Sequence, residues 1–152
     1  MTTQPPLDET SRAIIRELQQ DGRRPYSAIG KAVGLSETAT RQRVHRLLAS
    51  GVVQVAAVTD PARMGLTRQA MIGVRADGDV QSLADALAGI PEVAYVVITA
   101  GTFDLLAEVI CEDDDQLLTI LNDQIRSLPG VLATETFVYL RIRKQTATFH
   151  RS

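Results

Sequence analysis

The spacing of apolar residues predicts a first helix that runs to about Gln20. Ile14 and Leu18 lie four positions apart and therefore share one helix face. The helix is expected to begin after Asp8, whose carboxylate can accept hydrogen bonds from the free amides of the first turn. Asp21-Gly22 then ends it, because a glycine after a helix favours reversal of the chain.

Two further helices follow, and a glycine separates them. The second is predicted from Ala28 to Val33, with Ser27 as its cap. Gly34 supplies the positive φ that a tight turn needs. The third helix is predicted from Glu37 to about Ser50, with Ser36 as its cap. Two short helices joined by a glycine turn form a helix-turn-helix.

The third helix has an apolar side and a polar side. Its apolar side should pack against the other helices and holds Thr40, Val44, Leu47 and Leu48. Its polar side resembles that of a helix that enters the major groove of DNA. The candidates for DNA contact, including two arginines from the preceding loop, are Ser36, Glu37, Thr38, Arg41, Gln42, Arg43, His45, Arg46, Arg23 and Arg24.

Three of these side chains have hydrogen-bonding groups that match base edges. Arg41 can pair with guanine, Gln42 can pair with adenine, and Glu37 can accept a hydrogen bond from cytosine. The other arginines suit the phosphate backbone, and Arg43 suits a structural role equally well because it falls between the two sides of the helix. The alternative is a solvated helix face without a partner.

The pattern changes after Gly51. Val52–Val58 is rich in β-branched residues and is predicted to be a strand, and turns at Asp60-Pro61 and near Gly65 then form a linker. Strands and amphipathic helices follow. Their predicted order is strand, helix, strand, strand, helix, strand, at Ala70–Val74, Val80–Ala88, Val93–Thr99, Leu105–Cys111, Asp114–Ser127 and Val131–Ile142.

This order predicts a ferredoxin-like sheet in which each βαβ half places its two strands side by side under a crossover helix. Leu83 and Leu87 should face the sheet from the first of these helices. The residues expected to face it from the second are Leu117, Leu118, Leu121 and Ile125. Two helices cover only one face of four strands, so apolar residues on the other face predict a partner subunit.

The predicted fold class is therefore α+β, with two domains. Residues 1–58 form a helix-turn-helix (winged-helix-like) DNA-binding domain, and a linker at 59–67 joins it to a βαββαβ domain at 68–143. A polar C-terminal tail occupies 144–152. The first 58 residues carry eight basic and five acidic residues, whereas the remainder carries eight and thirteen. A positive lobe favours contact with phosphate, and opposite charges on the two halves indicate two tasks.

Cysteine content and hydropathy predict a cytoplasmic protein without membrane association. The single Cys111 excludes an intramolecular disulfide, and its apolar neighbours indicate a small buried residue. No apolar run approaches the ~20 residues that span a bilayer. The N-terminal MTTQPPLDET lacks the basic and apolar regions of a signal peptide.

Taken together, the two halves resemble the Lrp/AsnC (feast/famine) family of transcription regulators over about residues 7–143. The resemblance rests on LDETSRAIIRELQQDGRRPYSAIGKAVGLSETATRQRVHRLLASGVV, DPARMGL, TAGTFDLLAEV and LPGVLATETFVYL. It implies that the first half binds DNA, and that the second dimerises through its sheet and assembles dimers into rings, often octamers. Two residues depart from the family pattern. Thr40 occupies a position where the family usually has an aliphatic residue, and His45 occupies one where it usually has a lysine.

The same resemblance implies an amino acid or related metabolite as effector. Its motif matches the turn formed by Gly101, Thr102, Phe103 and Asp104, where the carboxylate could meet an α-ammonium group. The alternative for Asp104 is a hydrogen bond within a β-turn. Thr134 and Thr136 resemble positions near the family's pocket, although a β-branched pair also simply suits a strand. We expect no metal and no cofactor.

The sequence favours a sequence-specific regulator of transcription over an enzyme. It has no Ser-His-Asp or Cys-His arrangement and no phosphate loop. The expected partners are double-stranded DNA, an amino-acid-like ligand and further copies of the chain, as a dimer and then a tetramer of dimers, at the nucleoid. One alternative is a siroheme-decarboxylase-like enzyme, for which the second half lacks a histidine before His150. The other is a ligand-sensing assembly module that does not bind DNA.

Overall fold

The computed structural model describes residues 7–145, which form two compact units at 7–58 and 59–145. The predicted C-terminal tail lies outside the described residues from position 146 onward, as do the first six residues. Among the helices of residues 7–145, none is both long and apolar enough to cross a membrane.

The first unit contains the three predicted helices, α1 (Glu9–Gln20), α2 (Tyr26–Val33) and α3 (Glu37–Ala49). Both predicted caps of α1 and α3 are confirmed. The Asp8 carboxylate accepts a hydrogen bond from the Ser11 amide at 2.7 Å, and the Ser36 hydroxyl accepts one from the Ala39 amide at 3.2 Å. Each of these bonds satisfies an amide that the helix itself leaves free.

The start of α2 differs from the prediction. Ser27 lies inside the helix and is not its cap, because the helix already begins at Tyr26 after Pro25. The proline has a φ of −59°, which suits the start of a helix, and it needs no amide hydrogen bond there. The helix ends at Val33, and the φ of +75° at the following Gly34 confirms the predicted left-handed turn.

The three helices pack around Ile14, Leu18, Ile29, Val44 and Leu47. Thr40 is fully buried beside them, and its hydroxyl donates to the Ser36 carbonyl at 2.9 Å. That bond explains how a polar residue occupies a position that usually holds an aliphatic one. Leu48 was expected in this core, but 38% of it is exposed because it lies at the edge of the packed side of α3.

The predicted strand at Val52–Val58 does not form within the described chain. A strand needs a neighbouring strand to accept its amide hydrogen bonds, and residues 7–58 otherwise contain only helices. Val55 and Val58 are exposed as a result. Beyond them, Asp60 caps a short 3₁₀ turn at Pro61–Met64.

The second unit has the predicted βαββαβ order. Its elements are β1 (Arg68–Ala76), α4 (Val80–Ala88), β2 (Val93–Ile98), β3 (Leu105–Cys111), α5 (Asp114–Thr119), a π-helical continuation (Ile120–Ile125) and β4 (Val131–Val138). The strand order is β2-β3-β1-β4, and all neighbours are antiparallel. The expectation that each βαβ half keeps its strands adjacent is therefore wrong. Each half is split by a strand of the other half, since a crossover helix easily spans the ~10 Å between next-but-one strands.

One face of the sheet packs against α4 and α5. Ile72, Val74, Leu105 and Val109 are fully buried there. Cys111 is also buried as predicted, and burial raises the pKa of its thiol. The aliphatic residues that the helices contribute to this core are Leu83, Leu87, Leu117, Ile120, Leu121 and Ile125.

Two details of this half differ from the prediction. Leu118 does not face the sheet, and 57% of it is exposed, since the inward positions are taken by its neighbours Leu117 and Leu121. The last strand ends at Val138 and does not reach Ile142. The Tyr139 amide still donates to the Gln69 carbonyl at 2.8 Å. Because β1 begins at Arg68, it provides no further residues with which the chain after Tyr139 could pair.

The helix-free face of the sheet is rich in apolar groups, as the sequence predicted. The register places on this open face Tyr95, Val97, Leu106, Ile110, Met71 and Phe137. Tyr139 and Glu108 add a polar pair, and burial together with their hydrogen bond raises the pKa of Tyr139 to about 12.

Candidate DNA-binding surface and effector site

The polar side of α3 is accessible over its whole length. Six of the predicted contact residues are exposed on it: Glu37, Thr38, Arg41, Gln42, His45 and Arg46. The last four line one shallow depression. The opposite side of the helix is fixed by Thr40, Val44 and Leu47 in the core, so the orientation of the polar side is set by packing.

Arg41 already has partners within the first unit. One of its terminal nitrogens lies 3.2 Å from the Glu37 carboxylate, and its guanidinium carbon lies 5.5 Å from the centre of the Tyr26 ring. The His45 ring meets the same tyrosine edge-on at 6.5 Å between ring centres. The sequence pattern does not single out Tyr26, because one tyrosine at the start of a helix carries no periodic signal.

Arg43 is placed away from these groups. Its guanidinium donates to the Asp8 carboxylate at 2.6 Å and lies 3.4 Å from the Ser11 hydroxyl. The hydrogen bonds from Ser11 and then from Arg43 hold the pKa of Asp8 well below its usual range. Of the two roles that the sequence left open for Arg43, the structure favours the structural one, as a tie between α3 and the start of α1.

The two loop arginines differ from each other. Arg24 forms an ion pair with Glu17 at 2.6 Å and is partly buried, whereas the Arg23 side chain is exposed. The Ser36 hydroxyl is engaged as the cap of α3. Arg23 and the outward residues of α3 are therefore the groups most accessible to a phosphate or a base.

The turn at Gly101–Asp104 is held by hydrogen bonds to its surroundings. The Asp104 amide donates to the Val74 carbonyl at 2.9 Å, and the Asp104 carboxylate accepts from the Ala76 amide at 2.8 Å. A Cβ on Gly101 would meet no described atom within 4 Å, so the backbone is open to approach there. One oxygen of the candidate carboxylate is thus already used by the fold.

Phe103 lies on the open face of the sheet. Its ring covers Gly73 so closely that a Cβ on that glycine would lie 2.7 Å from a ring carbon. The ring also meets Phe137 edge-on at 6.1 Å between centres. A side chain at position 73 would displace the phenyl ring. This close contact explains why a glycine occupies the position, which the sequence pattern did not reveal.

Thr134 and Thr136 lie on the other face of the sheet. They pair with Val74 and Ile72, whose side chains face the helices. The Thr134 hydroxyl accepts a hydrogen bond from Arg126 at 2.9 Å. Within one chain, the structure therefore does not bring the two threonines together with Phe103, because paired residues of neighbouring strands share one face.

Comparisons with known proteins agree with this architecture. Residues 7–48 match an AsnC-type helix-turn-helix domain, and residues 67–150 match a C-terminal dimeric alpha+beta barrel domain. The chain is 36% identical over 143 residues to the HTH-type transcriptional regulator FL11 of Pyrococcus horikoshii, covering 93% of this chain and 94% of that one. It is 33% identical to the proline dehydrogenase transcriptional activator of Rhizobium radiobacter, covering 92% and 93%.

A solved structure extends the likeness to three dimensions. The chain superposes on a transcriptional regulator from Neisseria meningitidis, crystallised as a complex with L-Met, with a TM-score of 0.85 at 26% identity, covering 95% of this chain and 97% of that one. The chain belongs to the Lrp/AsnC family of helix-turn-helix transcriptional regulators.

Proposed function

We propose that this regulator recognises specific double-stranded DNA sequences through the polar side of α3. The observation that carries the proposal is the exposed row Arg41, Gln42, His45 and Arg46 on a helix whose other side is locked into the core. Such a helix presents hydrogen-bonding groups at a fixed orientation, which base recognition in the major groove requires.

The contacts divide into two kinds. Arg41 and Gln42 are proposed to read bases, together with Glu37 and Thr38 nearer the start of the helix. Arg46 and Arg23 are proposed to bind phosphate, which fixes the position of the helix on the duplex without reading sequence. Arg43 and Arg24 act mainly through Asp8 and Glu17, because their side chains are paired and only 30% and 33% exposed, whereas the paired Arg41 is 59% exposed.

Two substitutions separate these roles. Arg41→Ala should cost about 1–3 kcal/mol at one base position and leave other positions unchanged. Arg46→Ala should weaken all duplexes alike and reduce the salt dependence by about one counterion. A matched control is Arg16→Ala on α1, since Arg16 is 57% exposed and paired with Glu9, much as Arg41 is 59% exposed and paired with Glu37.

The measurement is fluorescence anisotropy at several salt concentrations, with duplexes enriched by the full-length protein from genomic DNA. The control variant should bind as the wild type does. Absence of any sequence preference at every salt concentration would exclude the proposed recognition. An equal loss of DNA affinity in Arg41→Ala and Arg16→Ala would contradict the assignment of Arg41 to a base contact.

The second unit is proposed to assemble the protein. Its open face presents apolar residues that α4 and α5 do not cover, and its family model describes a dimeric domain. Burying such a face against a second copy stabilises both subunits through the hydrophobic effect. We propose a dimer through this face, and a ring of four dimers as the larger assembly.

The proposed place of action is the cytoplasm, at the nucleoid, and the proposed role is regulatory, with no catalytic role and no cofactor.

An amino-acid-like effector is proposed to bind beside the Gly101–Asp104 turn. The Neisseria relative was crystallised with L-Met, and Gly101 leaves the backbone open for close approach. Because Thr134 and Thr136 lie on the opposite face from Phe103, they are proposed to join such a site only from another subunit. The effector acts by binding one assembly more tightly than another, since equal affinity would shift nothing.

Gly101→Ala tests this placement with little risk to the fold, because a Cβ there meets open space in the described chain. The common L-amino acids are screened one by one for their effect on the melting temperature of the wild type. The variant should melt as the wild type does without ligand and lose the shift that a ligand produces. Asp104→Asn, which keeps an acceptor for the Ala76 amide, should also weaken a ligand that carries an ammonium group. Equal shifts in all three proteins would place the site elsewhere.

A further inference from the structure

Tyr26 connects the core of the first unit to the polar side of α3. Its ring is half-buried against the cluster around Ile29 and Val44, so core packing fixes its position. The same ring has the Arg41 guanidinium carbon 5.5 Å from its centre and the His45 ring 6.5 Å away. One anchored ring therefore contacts two exposed side chains that lie one helical turn apart.

We propose that Tyr26 is a positioning residue that holds Arg41 ready to contact a base. The proposal rests on the role of α3 proposed above. An aromatic face attracts a guanidinium, and Glu37 holds a terminal nitrogen of the same group at 3.2 Å. An exposed arginine ordinarily samples many rotamers and loses that freedom on binding. A side chain already restrained in the free protein loses less of it.

The restraint serves sequence discrimination more than overall affinity. Guanine offers two acceptors in a fixed geometry, and an arginine must present two donors in register to use both. A phosphate accepts hydrogen bonds from a wider range of directions and tolerates a mobile side chain. Loss of the ring should therefore reduce the preference at one base pair while it leaves non-specific binding and its salt dependence unchanged.

The free protein gives the first test. Arg41 and Arg16 form a matched pair, because they are 59% and 57% exposed and their ion pairs with glutamate are 3.2 and 3.3 Å long. They differ in that, within residues 7–145, Arg41 forms a cation–π contact with an aromatic ring and Arg16 does not. Nuclear magnetic resonance of the Nε–H groups should show a more ordered Arg41, and Tyr26→Leu but not Tyr26→Phe should abolish the difference. Equal order for both arginines in the wild type would overturn the proposal without any variant.

The second test uses full-length protein and a duplex selected by the wild type from a random library, with single base-pair changes at the position that Arg41→Ala affects. Tyr26→Leu should lower discrimination there about two- to fivefold, as expected for a cation–π contact at an exposed site, and Tyr26→Phe should retain it. Adding Tyr26→Leu to Arg41→Ala should change nothing further at that position.

The outcomes separate this proposal from the proposed function. Two results would overturn the positioning role alone. One is wild-type discrimination between base pairs in Tyr26→Leu. The other is that Tyr26→Leu lowers discrimination by the same factor whether or not Arg41→Ala is present. In that case the recognition of DNA by α3 would stand. A wild-type protein without any sequence preference would overturn both.

Discussion

Replacing Gly30 with alanine should push α2 and α3 apart. A Cβ at this buried position would lie 2.6 Å from the Leu35 carbonyl oxygen and 2.8 Å from the Thr40 hydroxyl. Carbon and oxygen normally approach to ~3.3 Å, so the closer contact is short by about 0.7 Å. Leu35 cannot simply turn away, since its own amide donates to the Gly30 carbonyl at 2.8 Å.

The cost follows from two opposing effects. Overpacking of a close contact typically costs about 1–3 kcal/mol, whereas alanine in place of glycine inside a helix stabilises by about 0.5–1 kcal/mol. We expect a net loss of about 1–2 kcal/mol in the first unit. Because α3 moves relative to α2, the DNA affinity of the folded protein should fall as well.

Hydrogen exchange of peptides from residues 26–49 measures this unit separately from the sheet. A loss of that size accelerates exchange about 5- to 30-fold. Gly34→Ala is the matched control, because a Cβ there meets open space in the described chain and the cost arises only from the φ of +75°. It should destabilise the unit without weakening DNA binding by the folded protein. Unchanged or slower exchange in Gly30→Ala would refute the reasoning.

Two further predictions concern acid stability and assembly. The pKa of Asp8 is lowered by its hydrogen bonds from Ser11 and Arg43, so the stability that its charge contributes is present above the unfolded pKa near 4 and is lost as the pH falls below it. Asp8→Asn, which still caps α1, should therefore show a smaller decrease in stability than the wild type on acidification below about pH 4, measured by urea unfolding, and identical pH profiles would contradict this. Phe137→Asp on the open face should yield monomers in light scattering, whereas Leu118→Asp should leave the dimer intact although Leu118 is the more exposed of the two, at 57% against 44%. Dimers in both variants would exclude the open face as the interface.

The local sequence was sufficient for the starts of α1 and α3 and for the βαββαβ order of the second unit. Asp8 and Ser36 cap their helices because a short side-chain oxygen reaches the amide three residues further on. Donor and acceptor are therefore close in sequence. The apolar periods that separate strands from helices in the second half are equally local. The outward direction of Arg41 and Gln42 follows from the helical period and does not depend on knowledge of the packing.

Local pattern did not decide what depends on partners that are distant in sequence. Val52–Val58 has the composition of a strand but has no strand beside it within residues 7–58. The strands of the two βαβ halves alternate in the sheet. Strand order depends on which faces become buried together, and the spacing of apolar residues along the chain does not indicate it. For the same reason the pattern could not show that the predicted effector residues lie on two faces.

The candidate DNA surface shows the same division. Sequence spacing identified which residues of α3 face outward, but tertiary contacts decided which of the arginines remain accessible. Arg43 is engaged by Asp8, 35 positions earlier, whereas Arg41 rests against Tyr26, a residue with no signal of its own. Side-chain direction along a helix is a property of the local chain, but the availability of a charge depends on which partners the fold places in contact with it.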